Sequence, residues 1–226
     1  LKLFQQLQYK QTLLLDLVYG KDGETPVDDA DLTEHLDSQM YELAYVNIPL
    51  YNTSTFVFAS DDQKAEMLQL AQQAATAANL MDYENVEDQV SALHAAAQSA
   101  LPDIYAVLDA TPSDDASSVQ TELLTESDLT STFTQDGAAD AVRGLVYGEA
   151  AAVQYNGYSV ILMMRIDPLQ VSTLDALRSQ ILSDLKGEEL DDALAAYGAQ
   201  LDNSLSSSAM SKLPATKIVN DTSANS

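Results

Sequence analysis

The segment from Tyr158 to Ile166 constrains the fold more than any other part of the chain. It reads Tyr-Ser-Val-Ile-Leu-Met-Met-Arg-Ile and is bounded by Asn156-Gly157 on one side and Asp167-Pro168 on the other. An almost wholly apolar run closed at both ends by turn-forming pairs is a strand buried on both faces, and such a strand belongs at the centre of a sheet. A second strand is expected at Tyr45–Leu50, where Val46, Ile48 and Leu50 alternate with Asn47 and Pro49. Pro49 has no N–H to give to a ladder, which places it at a strand end or an edge. A short apolar run ending at Tyr155 leads into the Asn156-Gly157 turn and supplies a third strand.

The remainder reads as helix. Leu3, Leu7, Leu14, Leu17 and Val18 share one face of a first helix that Gly20 and Gly23 end. Thr25-Pro26 opens a second, with Asp28, Asp29 and Asp31 at its positive end and a stripe of Leu32, Leu36 and Met40. Ser60 caps a helix from Asp61 to Asn79, with Ala65, Leu68, Ala71 and Ala75 inward. Another runs from Glu84 to Ala100 on Val86, Val90, Leu93 and Ala97. Residues 101–118 read as loop. Thr125 caps a short turn that carries Leu129 and Phe133, and a further helix spans Asp136–Val146. Two last helices, on Leu174, Leu177, Ile181, Leu185 and on Leu190, Leu194, Tyr197, Leu201, are separated by Gly187. A short strand is expected at 216–219 and a mobile tail at 220–226. Helix clearly exceeds strand, so the fold class is α+β. Each flanking helix has a single apolar stripe that must be covered, so the helices of 1–40 are expected to pack against those of 172–201.

Composition removes several function classes. Ten Lys and Arg face 35 Asp and Glu, a formal charge of -25. Such a polyanion repels phosphate backbones and anionic lipid, so neither nucleic acid nor an acidic membrane surface is an expected partner. Without cysteine there is no disulfide, thiolate metal site or cysteine nucleophile. His35 and His94 are isolated from one another and support neither a Ser-His-Asp triad nor a metal site. His35, beside Asp31 and Glu34, reads as part of a solvated helix face. No glycine-rich phosphate loop is present, and no cofactor is expected. No apolar stretch of about 18 residues exists to span a membrane. The chain opens inside a helix, and the expectation is an upstream signal peptide or lipid anchor.

Three stretches carry a family resemblance. They are YVNIPL at 45–50, DDQKAEMLQLAQQA at 61–74 and LVYGEAAAVQYNGYSVILMMRIDP at 145–168. In this order they resemble the first strand, the first helix and the closing hairpin of the parvulin, or rotamase, class of prolyl isomerases. Residues 1–40 and 169–219 resemble the helical segments that flank such domains in PrsA-type surface foldases and SurA-type chaperones. The resemblance implies a small antiparallel or mixed sheet module at 41–168, inserted in a helical chaperone-like domain built from 1–40 and 169–219. Active parvulins carry a histidine in the first strand and another in the last. Here those positions hold Asn47 and Ser159. The acidic or cysteine residue that usually accompanies the histidine pair has no counterpart, and Leu129 and Phe133 are the candidates for the apolar pocket that takes the substrate proline.

What the resemblance implies is an extracytoplasmic bacterial folding factor, secreted or held at the cell surface, that binds unfolded or nascent secreted polypeptide. Isomerisation needs no nucleophile, only a site that grips the ring and favours the twisted amide. Loss of both histidines therefore implies weak or absent activity without excluding it. Two other readings stay open at this level: a surface adaptor that reuses the fold to bind one partner, and an active isomerase with a rearranged site.

Overall fold

A computed structural model describes residues 2–200 of the chain, with side chains from residue 9 onward. The elements in order are α1 (Lys2–Tyr19), α2 (Asp29–Gln39), β1 (Met40–Pro49), α3 (Asp61–Ala78), α4 (Val86–Ala106), β2 (Gln120–Thr125), α5 (Glu126–Thr132), α6 (Ala138–Arg143), β3 (Ala150–Asn156), β4 (Ser159–Arg165), α7 (Pro168–Val171) and α8 (Leu174–Gln200). The class is α+β. The chain divides into two units, residues 1–185 and 186–226. The described part of the second is the end of α8, where Lys186 Nζ bonds Glu189 at 2.6 Å.

The starts of α2, α3, α4 and α5 are each fixed by a side chain that satisfies a first-turn N–H group. Asp28 accepts from Asp31 N at 2.8 Å and Asn85 from Asp88 N at 2.9 Å. Ser60 and Gln63 form a reciprocal capping box on α3, and Thr125 and Asp128 form one on α5. Acidic first turns on all four add a favourable interaction with the helix dipole.

The sheet is antiparallel throughout, in the order β2-β1-β4-β3. Strand β4 lies between β1 and β3 and is covered on both faces. On one face Val160, Leu162 and Met164 join Val46 and Ile48 against Met67, Ala71, Leu93 and Ile104 of α3 and α4. Alanine at Ala71, Ala74, Ala75, Ala96 and Ala97 keeps that helix layer thin and close. On the other face Ile161 and Met163 join Tyr41 and Leu43 under Leu129, Phe133 and Val142, contributed by α5, its C-cap and α6. The lack of polar alternation in β4 follows from this double cover. Its one charged residue, Arg165, lies between the rings of Tyr41 and Tyr147, 5.0 and 5.1 Å from their centroids. The guanidinium donates to the carbonyls of Leu145 and Asp37 at 3.0 and 3.1 Å.

Several elements depart from the sequence reading. Strand β2 falls where only the Thr125 cap was expected, and β1 starts at Met40, five residues early. Helix α4 runs through Pro102. Proline costs one backbone bond there, and the turn is retained because Leu101, Ile104 and Tyr105 are buried against the sheet. Gly187 does not divide the last helix: α8 is continuous. In α1 the buried residues are Leu15 and Tyr19, whereas Leu17 is exposed. Leu3, Leu7 and Leu201 lie outside the described side chains, as do the segments 216–219 and 220–226. Helix α2 is tied to the beginning of α8 by Arg178, whose guanidinium holds Asp29 and Asp175, and by His35 Nε2, 2.7 Å from Asp184 Oδ2. Among the described residues no helix is long and apolar enough to cross a membrane.

Candidate functional site

The β1–β4 register sets Asn47 opposite Ile161 and Pro49 opposite Ser159. Asn47 and Ser159 are thus diagonal neighbours on adjacent strands. Strand alternation puts both on the face that carries Tyr45, Ile161 and Met163. They differ in access, with Asn47 exposed and Ser159 buried. Helices α5 and α6 cover the other end of this face, over Tyr41 and Leu43, and leave Asn47 open.

A third strand reaches the same place through an irregularity. The β3–β4 register shifts between Gln154 and Asn156, which makes Tyr155 the extra residue of a bulge. Its ring leans over β4, its hydroxyl donates to Asn47 Oδ1 at 3.1 Å, and it meets the Phe133 ring at a centroid distance of 5.5 Å. On the other side of Asn47, the hydroxyl of Tyr45 donates to Glu122 Oε2 at 3.3 Å. Burial, and then the charge of Glu122, raises the Tyr45 phenol above its ordinary range. Two half-buried tyrosines therefore flank one exposed carboxamide. Its oxygen is engaged by Tyr155, and the amide nitrogen of this exposed residue is a donor that a peptide carbonyl could accept from.

Leu129 and Phe133 belong to the layer that covers the other end of this face. Leu129 is fully buried and Phe133 is 3% exposed. Phe133 packs against Tyr155, but neither presents surface to a ligand. The accessible groups are Tyr45, Asn47 and Tyr155. Of these, sequence reasoning reached only Asn47. Period two would have added Tyr45, which shares its face, whereas nothing in the sequence marks the bulge at Tyr155.

The face carries hydrogen-bonding groups on an apolar floor and no nucleophile–base pair. Both histidines are engaged elsewhere, His35 with Asp184 and His94 Nδ1 with the Ser117 carbonyl at 2.8 Å. Among the described residues no three His, Asp or Glu side chains gather as a metal site would require. A cleft of about 710 Å³ lies elsewhere, lined by Asn85, Val86, Val90, Thr121, Gln170 and Val171, and none of the sheet-face residues lines it. Glu42 lies on the opposite face of β1 from Asn47. It is 7% exposed, and burial, with the charge of Glu122, pushes its carboxyl up to about 7.

Comparison of the chain with known family models, curated proteins and solved structures gives no match.

Proposed function

We propose that this protein is a polypeptide-binding folding factor of parvulin-like architecture, working outside the cytoplasm, with weak or absent prolyl isomerase activity. One observation carries the reading. The first and last strands of the sheet are neighbours, and Asn47 and Ser159, the positions at which the resemblance expects histidines, are diagonal neighbours on one face. An extended segment crossing that face would rest on the rings of Tyr45 and Tyr155 and give a carbonyl to the Asn47 amide. Binding of this kind needs apolar area and a few oriented polar groups. Catalysis would need more, because a twisted amide must be held better than a planar one, and neither Asn nor Ser reproduces the shape and donor pattern of an imidazole pair.

Two assays on a single preparation test this: isomerisation of a proline-containing peptide, and suppression of aggregation of an unrelated denatured protein. The expected result is suppression at near-stoichiometric protein with little isomerase turnover. Turnover comparable to an active parvulin, with no effect on aggregation, would overturn it. Suppression that disappears in Tyr155→Ala would assign it to the sheet face.

A further inference from the structure

The loop between β1 and α3 is built to expose apolar side chains. Asn52 Oδ1 accepts from the N–H groups of Ser54 and Thr55, both at 3.0 Å. The backbone closes with Asn52 N to Val57 O at 2.9 Å and Phe56 N to Asn52 O at 2.7 Å. Asn52 Nδ2 donates to the Leu108 carbonyl at 3.0 Å, which fixes the loop to the end of α4. Phe56 has φ 57, a left-handed conformation that a bulky residue seldom takes. The loop leaves Phe56 73%, Val57 64% and Phe58 57% exposed. The Phe58 ring contacts Tyr51 and Tyr158 at centroid distances of 5.6 and 5.8 Å, and Tyr158, from the β3–β4 turn, is itself 62% exposed. Exposed apolar residues scattered singly are ordinary, but a contiguous cluster on a hydrogen-bonded loop is the mark of an interaction surface.

Its surroundings define the partner. Residues 51–60 carry no charge, yet Asp61 and Asp62 follow at once and Asp109 adjoins the Leu108 anchor, all three exposed. Lys64 pairs with Asp61 at 3.1 Å, so the tip is apolar with a rim that is acidic on balance, on a chain of net charge -25. An anionic lipid surface would be repelled by this rim, whereas a basic polypeptide would be attracted. The tip also stands at the end of the sheet nearest the candidate site, since Leu50 N donates to Tyr158 O at 2.7 Å and Pro49 pairs with Ser159.

We infer that the Phe56–Phe58 tip with Tyr158 is an anchoring subsite for extended polypeptide, taking an aliphatic or aromatic side chain flanked by lysine or arginine. This rests on the polypeptide-binding reading and adds the chemistry of the client to it. The tip supplies apolar contact, and the acidic rim selects among apolar segments by the charge of their neighbours.

The test is fluorescence anisotropy with two labelled unstructured peptides that share one apolar core, one flanked by lysines and one by glutamates. Wild type should bind the lysine-flanked peptide about tenfold more tightly, a preference that salt reduces. The exposed double change Phe56→Ser with Phe58→Ser should weaken both peptides about fivefold at unchanged melting temperature. Asp61→Asn with Asp62→Asn should leave the apolar contribution in place and narrow the preference for lysine. If the serine variant binds like wild type while Tyr155→Ala binds poorly, the tip proposal is overturned and the sheet-face reading stands. If wild type binds neither peptide, both are overturned. If the tip variant instead loses sedimentation with phosphatidylcholine vesicles and keeps its peptides, the tip is a lipid contact and the proposal is overturned.

Discussion

Tyr155 on β3 reaches over β4 to donate its hydroxyl to Oδ1 of Asn47 on β1, 108 positions away in sequence, at 3.1 Å. The bond does two things. It fixes the carboxamide orientation, and it holds the Tyr155 ring, tilted by 50° to that of Phe133, as one wall of the proposed binding face. Tyr155→Phe removes the first effect and leaves the second. Its expected cost in stability is about 1 kcal/mol or less, because the bond is exposed, and its effect on peptide affinity is expected to be under about threefold. Tyr155→Ala removes the wall, and affinity should fall by about tenfold. Peptide titration of the two variants separates them, and equal affinities for wild type and Tyr155→Ala would take the binding site off this face.

Leu162 is fully buried at the centre of β4, in the core between the sheet and helices α3 and α4. Leu162→Asp would put a carboxylate with no partner into that core, at a cost of several kcal/mol, comparable to the whole stability of a domain. The expected outcome is loss of the cooperative thermal transition. Leu162→Ala is the graded control and should cost about 2–5 kcal/mol. A Leu162→Asp protein that melts like wild type would mean that β4 is not the central strand.

The two inner strands were legible because burial leaves its pattern in the sequence. Strand β4, covered on both faces, has no polar alternation, and β1 shows period two from Tyr45 onward. Caps on α3 and α5 were legible for a local reason: each is one side chain and one backbone N–H three residues on. Strand β2 was not. Gln120, Thr121 and Glu122 are exposed, only Leu124 is buried, and its pairing with Met40–Tyr45 across some eighty positions sets its identity. Gly187 and Pro102 misled in the opposite sense, since each lowers helix propensity locally without ending a long helix. At the site, Asn47 was reached through the resemblance, which expects a histidine at that position. The route by which Tyr155 reaches it depends on a bulge, which has no sequence signature here.

Arg178 ties α2 to the start of α8 through ion pairs formed at a buried position. The residue is 6% exposed; one terminal nitrogen, Nη2, serves both Asp29 and Asp175, while Nε and the other terminal nitrogen have no hydrogen-bond partner. Desolvation of a cation so incompletely bonded offsets much of the attraction. Arg178→Met keeps the aliphatic stem and removes the unsatisfied donors. Its melting temperature at neutral pH is expected to equal or exceed that of wild type. A drop of more than about 3 °C, roughly 1 kcal/mol for a domain of this size, would show that the pairing outweighs the desolvation.

Glu42 gives the fold a pH dependence with a sign opposite to that of most carboxylates. Its ordinary value of 4.5 rises to about 7 in the folded chain, chiefly through burial and then through the charge of Glu122. Between those two values the folded state keeps a proton that the unfolded chain has released. Stability from this group is therefore complete below about 4.5, declines as pH rises through 7, and changes little above that. The full difference is about 3 kcal/mol, at 1.36 kcal/mol per unit. Glu42→Gln is isosteric with the protonated form and carries no charge to desolvate. It should be more stable than wild type by about 2–3 kcal/mol at pH 8 and by under about 1 kcal/mol at pH 5. Urea midpoints of the two proteins at both pH values measure this, since a common slope turns a midpoint difference directly into free energy. If the gap between the two proteins is the same at pH 5 and pH 8, Glu42 does not titrate in this window, and the burial of its carboxylate is compensated by contacts other than a retained proton.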